Sequence, residues 1–105
     1  MSKCDLIQSF SSKQPWEEYY VGFDFKNVVS TGAVIEDAVI TVKDMKGNDV
    51  TSDFTDVGYQ KIISPIVYFW VKGGENKKTY KITCKATCDD SEHYEADAMF
   101  PVREK

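Results

Sequence analysis

The most regular pattern in the chain is an alternation of apolar and polar residues toward its C-terminus. Residues 79–88 place an apolar side chain at every second position, and residues 93–102 repeat this after a polar break at residues 89–91. A period of two is typical of a strand with one buried face. A three-residue turn keeps inward positions opposite inward positions, so we expect a hairpin in which Lys85 faces Glu95. The inward positions are Tyr80, Ile82, Cys84, Ala86, Cys88, Tyr94, Ala96, Ala98, Phe100 and Val102.

The rest of the chain contains shorter alternations of the same kind. Residues 17–25 and 35–43 each alternate, which predicts two further strands. Residues 66–72 are apolar or aromatic on both faces, which indicates a central strand. A short element is expected near residues 49–52, whereas residues 54–63 follow no clear period. The expected buried set of the central strand is Val67, Phe69 and Val71.

No stretch shows a helical period long enough to predict a helix. About six or seven short strands with almost no helix predict an all-β, antiparallel sandwich. The chain has 105 residues, of which 42% are hydrophobic, so one core can offset the chain entropy. We therefore expect a single domain over residues 13–105, preceded by a flexible segment over residues 1–12.

Aromatic residues on the second face of the central strand are candidates for partner binding. If the expected buried set is correct, Ile66, Tyr68 and Trp70 form an apolar stripe on the outer face. Such a stripe marks an interaction surface, unless residues 54–63 or the N-terminal residues cover it. Trp16, ahead of the first strand, is likewise either a lid on the end of the sandwich or a contact residue.

Charge and hydropathy argue against several classes of partner. The net charge is −4, and lysine and arginine are scattered along the chain, which gives no basic footprint for nucleic acid or anionic lipid. The longest apolar run falls short of the roughly 20 residues that span a bilayer. The N-terminus carries no apolar secretion segment, so we expect the protein to stay in the compartment where it is made.

The three cysteines predict packed thiols. Cys84 and Cys88 lie four residues apart on one expected strand, roughly 13 Å at 3.3 Å per residue, which is too far for a disulfide. The spacing of the set fits neither a zinc site nor a redox motif. An intermolecular or reactive role for Cys4 is the alternative.

The sequence shows no catalytic constellation, and we expect no enzyme activity, cofactor or metal. His93 lies next to Asp89, Asp90 and Glu92, a set that fits a solvated hairpin turn better than a metal or acid–base cluster. Glu95 and Asp97 are successive outward residues of a strand, which usually form a wet face rather than a glycosidase dyad. No nucleophile motif, zinc-protease motif or calcium loop is present.

Gly73-Gly74 leads through a polar connection into Tyr80-Lys81-Ile82-Thr83, the form of a tyrosine corner in immunoglobulin-like sandwiches. Tyr80 is the candidate, with its hydroxyl bonding back to the preceding connection. Together with the strands at residues 19–25 and 38–42, this order of features resembles small immunoglobulin-like proteins of bacteriophages and prophages, of the fibre-tail adaptor kind. The resemblance covers roughly residues 13–103.

The resemblance implies an immunoglobulin-like β-sandwich that works as a non-enzymatic structural adaptor. It would pack against tail, connector or fibre subunits in a virion, and would be made and assembled in the bacterial cytoplasm. Neither nucleic acid nor membrane would be a partner, and homo-oligomerisation is left open. The expected contact residues are Trp16, Ile66, Tyr68 and Trp70. The alternative is an immunoglobulin-like surface module that binds carbohydrate or a host protein.

Overall fold

The computed structural model describes residues 7–9, 12–27, 29 and 32–104, with residues 7–9 described by their backbone alone. This part of the chain forms strands and one short helix. The elements are β1 Ile7–Ser9, β2 Tyr19–Asp24, β3 Ile35–Lys43, α1 Thr51–Phe54, β4 Thr55–Ile63, β5 Ile66–Val71, β6 Lys78–Cys88 and β7 His93–Val102.

The strands form two sheets. One has four strands in the order β1-β7-β6-β3, and the other has three in the order β2-β5-β4. Neighbouring strands are antiparallel, except that β1 runs parallel to β7. If β2 to β7 are lettered B to G, these are the G-F-C and B-E-D orders of an immunoglobulin-like sandwich. The predicted all-β sandwich is confirmed.

The C-terminal hairpin has the register that the sequence pattern predicts. Lys85 pairs with Glu95 across β6 and β7. The Cys88 N–H donates to the carbonyl oxygen of Glu92 at 2.9 Å, which closes a turn of three residues. Ser91 in that turn has a φ of 72°, the left-handed conformation that three-residue hairpin loops use. The prediction was accurate here because both strands keep a strict period of two.

One apolar core lies between the sheets. Val67, Phe69 and Val71 of β5 are buried, as predicted. The Phe69 ring stacks on Phe23 of β2, with ring centroids 5.5 Å apart. The other half of the core consists of inward residues of β3, β6 and β7. They are Ile35, Ala38, Ile40, Val42, Tyr80, Ile82, Cys84, Ala86, Cys88, Ala96, Ala98, Phe100 and Val102.

The region between β3 and β5 differs from the expectation. The short element expected near residues 49–52 consists of an isolated bridge from Asp49 to Lys43, followed by the helix α1. Residues 54–63 largely form β4, whose pairing with β5 is interrupted by a register shift between Asp56 and Lys61. A bulge adds residues to one strand only, so the alternation loses its phase there. This is why no period was recognisable in the sequence.

The N-terminal segment is described only in part. Within residues 1–12, the structure describes the strand β1 and Ser12. The flexibility expected for this segment therefore stays a prediction, which amide exchange would test.

The described cysteines are buried and unpaired, as expected for packed thiols. Cys84 and Cys88 form no disulfide. Burial raises the pKa of Cys84 to about 12, so this thiol is neutral and unreactive at physiological pH. Cys4 lies outside the described residues.

Candidate protein-interaction surface

The outer face of the sheet β2-β5-β4 carries a cluster of aromatic side chains, which we call the aromatic face. It comprises Tyr20 of β2, Tyr68 and Trp70 of β5, and Tyr59 of β4. Trp70 is central, with ring centroids 5.0 Å from Tyr20 and 5.2 Å from Tyr59. Both pairs are edge-to-face, an arrangement that aromatic quadrupoles favour. The rings therefore hold one another in fixed orientations.

The register of the strands explains this arrangement. Tyr20 pairs directly with Trp70, and Gly22 pairs with Tyr68, so these residues share one face of adjacent strands. A Cβ atom on Gly22 would approach Ile66 Cγ2 to 2.9 Å and Tyr68 Cδ1 to 3.2 Å. The missing side chain at Gly22 lets the half-buried Ile66 and Tyr68 lie close to the β2 backbone.

Two contacts with charged side chains hold rings of the aromatic face in place. The Trp70 Nε1–H donates to Glu18 Oε1 at 3.3 Å. The side chain of Lys61 in β4 extends toward β2, where its Nζ lies 4.4 Å from the ring centroid of Tyr20, a cation–π distance. A partly buried indole N–H usually finds an acceptor, and Glu18 provides it while leaving the indole ring on the outer face.

The stripe predicted at Ile66, Tyr68 and Trp70 lies on the outer face and is half-buried. Residues 54–63 do not form a separate lid over it, because β4 pairs beside β5 in the same sheet, but Tyr59 of β4 packs against Trp70. What shields the stripe is its neighbours in the sheet, Tyr20 and Tyr59, which are themselves 38% and 51% exposed.

The sequence analysis missed two members of the aromatic face, Tyr20 and Tyr59, and the neighbouring Lys61. Tyr20 was recognisable, because it lies on the outward side of a strand with a clear period of two. Tyr59 and Lys61 were hidden by the bulge in β4, which removes the phase that assigns a residue to a face.

The outer face of the other sheet is different in character. It presents charged and hydroxyl side chains, such as Lys81, Thr83 and Asp97. Lys81 Nζ lies 3.8 Å from Asp97 Oδ2, and the Thr83 hydroxyl donates to Asp97 Oδ1 at 2.7 Å. The polar groups of such a face form hydrogen bonds with water and with one another. Aromatic surface is thus concentrated on one side of the sandwich.

Trp16 stands apart from the aromatic face. It lies in a turn before β2 and is 90% exposed, so it does not act as a lid among the described residues. Tyr80 is buried at the start of β6, and its hydroxyl accepts a hydrogen bond from the Glu75 N–H at 2.9 Å. This bond to the preceding connection supports the proposal that Tyr80 is a tyrosine corner.

Residues of the polar clusters weighed in the sequence make local hydrogen bonds in the hairpin turn. His93 Nδ1 lies 3.1 Å from the Thr87 hydroxyl, and the Tyr94 hydroxyl donates to Glu92 at 2.6 Å. No group of three or more potential metal ligands is present in the described ranges. The described helix, α1, is too short to cross a membrane.

An open groove of about 540 Å³ lies between the β3–α1 and β5–β6 connections. Its carboxylate Asp44 accepts the N–H groups of Asn48 and Lys46, and hydrogen bonds from the Asn48 backbone and side chain hold the pKa of Asp44 below its usual value. These bonds close the loop 44–48, so this carboxylate serves the local backbone.

Comparison with known proteins identifies the family. None of the curated proteins matches the chain. A protein-family model described as podophage GP4 fiber-tail adaptor protein gp77 matches residues 13–101, which is most of the chain. The matched range begins ahead of the turn that carries Trp16 and includes the whole aromatic face. The chain therefore belongs to this family of phage fibre-tail adaptor proteins, whose role is structural.

Proposed function

We propose that the protein is a non-enzymatic adaptor of a phage or prophage particle that binds tail, connector or fibre subunits through the aromatic face. The observation that carries the proposal is the concentration of Tyr20, Tyr59, Tyr68 and Trp70 on one outer face, while the opposite face is polar. Family membership supplies the class of partner.

The aromatic face has the physical properties of a binding surface. Tyrosine and tryptophan are enriched among the residues that dominate interface energetics. Because Trp70 is braced by Tyr20, Tyr59 and Glu18, its ring loses little freedom when a partner covers it. Burial of the aromatic surface then stabilises the complex without a large loss of side-chain entropy.

The remaining parts of the proposal concern the assembly. The adaptor would be built into the virion in the bacterial cytoplasm and would need neither nucleic acid, membrane nor cofactor for its role. Its net charge of −4 supports the expectation that neither nucleic acid nor membrane is a partner, since phosphate-binding surfaces are basic. Light scattering of the purified chain distinguishes a monomeric from a homo-oligomeric adaptor.

Binding assays with single-residue variants test this function. The purified chain is titrated with each purified tail, connector and fibre subunit of the same particle. Trp70→Ala and Tyr59→Ser should each weaken the interaction by about 30-fold or more, the effect of losing a hot-spot residue worth about 2 kcal/mol. Tyr59→Ser is informative because that exposed side chain is not part of the core.

Val39→Ala is the matched control. Val39 is an exposed apolar residue of β3 on the outer face of the opposite sheet. The Val39→Ala substitution should change the affinity for the subunit by less than about twofold, as expected for a surface substitution outside the interface. If no subunit binds the wild-type chain, or if binding survives both aromatic substitutions, the proposal is wrong. Binding of glycans through the same tyrosines, without binding of subunits, would favour the carbohydrate-binding alternative.

A further inference from the structure

Trp16 lies at the tip of a hydrogen-bonded turn that precedes β2. The Glu17 N–H donates to the carbonyl oxygen of Gln14 at 3.0 Å, which makes residues 14–17 a β-turn. Pro15 occupies the second position of this turn, where its fixed φ is favourable. The Gln14 N–H in return donates to Glu17 Oε1 at 2.7 Å. The turn is thus closed by a backbone bond and a side-chain bond.

The residue before the turn, Lys13, fixes the turn to the sandwich. The Lys13 N–H donates to the carbonyl oxygen of Pro101 at 3.1 Å, and the Arg103 N–H donates to the Lys13 carbonyl oxygen at 2.8 Å. These two bonds form an isolated parallel bridge between Lys13 and Val102 of β7. The base of the turn is therefore as firmly held as a strand residue.

The side chain of Lys13 is fully buried, which is unusual for lysine. Its ammonium donates to the carbonyl oxygen of Gln14 at 2.8 Å and lies 3.4 Å from that of Pro15. It also lies 5.9 Å from the centre of the Phe54 ring. Burial lowers the pKa of Lys13, against the opposing influence of Glu17 and Glu18. A buried cation is costly, and here its hydrogen bonds go to the carbonyl groups of the turn.

The effect of this construction is to expose one large aromatic side chain on a fixed support. Trp16 is 90% exposed, more than any other large hydrophobic residue among those described. Nothing in the core requires a tryptophan there, whereas a preformed backbone reduces the entropy lost when a side chain is immobilised by a partner. The next residue but one, Glu18, accepts the Trp70 indole N–H, so the turn leads directly into the aromatic face.

We propose that the turn 14–17 is a preformed anchor, in which Lys13 positions Trp16 for insertion into an apolar pocket of the same protein subunit that covers the aromatic face. This inference rests on the proposed adaptor function. The adjacent carboxylates of Glu17 and Glu18 disfavour an anionic lipid surface as the occupant, since they would be brought against like charges. In this arrangement Lys13 is a positioning residue, and Trp16 makes the contact.

The first experiment measures the order of the turn in the free chain. Backbone ¹⁵N relaxation should give the Trp16 amide an order parameter of about 0.85, which is typical of rigid backbone. Lys13→Met removes the ammonium while keeping an unbranched side chain, and should lower the order parameter toward about 0.6. Ile82→Val, a conservative change in the β6 core, is the control for general destabilisation and should leave Trp16 ordered. An order parameter that does not respond to Lys13→Met overturns the positioning role.

The second experiment measures binding to the subunit that the wild-type chain binds. Trp16→Ala should weaken binding by about 30-fold or more, and Lys13→Met by about 3- to 10-fold through the added cost of ordering the turn. Met45→Ala, which truncates another exposed apolar residue, should change it by less than about twofold. In a chain labelled with 5-fluorotryptophan, the ¹⁹F signal of Trp16 should lose its solvent isotope shift in the complex.

The outcomes separate this inference from the proposed function. If a subunit binds through the aromatic face but Trp16→Ala binds as the wild type does, and Trp16 stays accessible to solvent in the complex, the anchor is wrong and the adaptor function stands. If no subunit binds the wild-type chain, both fail.

Discussion

Replacing Tyr80 by phenylalanine isolates the contribution of a single, partly buried hydrogen bond. The Tyr80 hydroxyl accepts the Glu75 N–H at 2.9 Å, while its ring packs on Phe54 with centroids 4.7 Å apart. Phenylalanine keeps the ring and its packing but leaves the Glu75 N–H without this acceptor. An unsatisfied, partly buried donor costs about 1–3 kcal/mol, and because the Glu75 N–H is only partly buried we expect about 1–2 kcal/mol.

The expected change in melting temperature follows from the size of the chain. At about 2.1 cal/mol/K per residue, unfolding 105 residues carries an entropy of about 0.22 kcal/mol/K. A loss of about 1–2 kcal/mol therefore lowers the Tm by about 5–9 °C. Thermal and urea unfolding, followed by circular dichroism, measure this shift and the corresponding change in the free energy of unfolding.

Tyr94→Phe is the matched control, since it removes a tyrosine hydroxyl that donates to Glu92 in the exposed hairpin turn. An exposed bond is replaced by water, so the free energy of unfolding should change by less than about 0.5 kcal/mol. Equal effects of Tyr80→Phe and Tyr94→Phe would refute the reasoning that the buried position makes the Tyr80 bond important.

Two other changes are expected to alter stability. Gly74 and Gly47 both have a positive φ, but a Cβ on Gly74 would approach Val102 Cγ2 to 2.8 Å, whereas one on Gly47 meets nothing within 4 Å. Gly47→Ala should cost about 1 kcal/mol from the backbone alone, and Gly74→Ala more, by urea unfolding; equal costs would contradict the steric argument. Burial raises the pKa of Cys84 from 9.0 to about 12, so its contribution to stability is complete below pH 9 and is lost between pH 9 and 12, by up to about 1.4 kcal/mol per pH unit. Alkaline unfolding of Cys84→Ala should lack this slope; an unchanged slope would show that other groups cause it.

The parts of the fold that the sequence predicted are those where a strict period of two meets a recognisable turn. The hairpin β6–β7 is the best example, because a shift of one residue would expose Ile82, Cys84 and Ala86 together. The bulge between Asp56 and Lys61 marks the limit of such reasoning, since its extra residues destroy the phase. Gly58 lies within it, and an isolated glycine in a strand is the one local sign of a bulge there.

The candidate site was predicted in part for the same reason. The stripe Ile66, Tyr68 and Trp70 followed from choosing the buried set of β5. Tyr59 joins it only through the bulged strand. The role of Lys13 depends on a contact between the segment ahead of the turn and residues 101–103, far away in the sequence. No local pattern reports a pairing of that kind.

The central claim is that the aromatic face is the surface that other virion subunits cover. Hydroxyl-radical footprinting of Tyr20, Tyr59 and Trp16, compared between the purified chain and the intact particle, tests this directly. We predict strong protection of these side chains in the particle, with Val39 and Met45 labelled equally in both states. Equal labelling of the aromatic side chains in the particle and in the free chain would contradict the account.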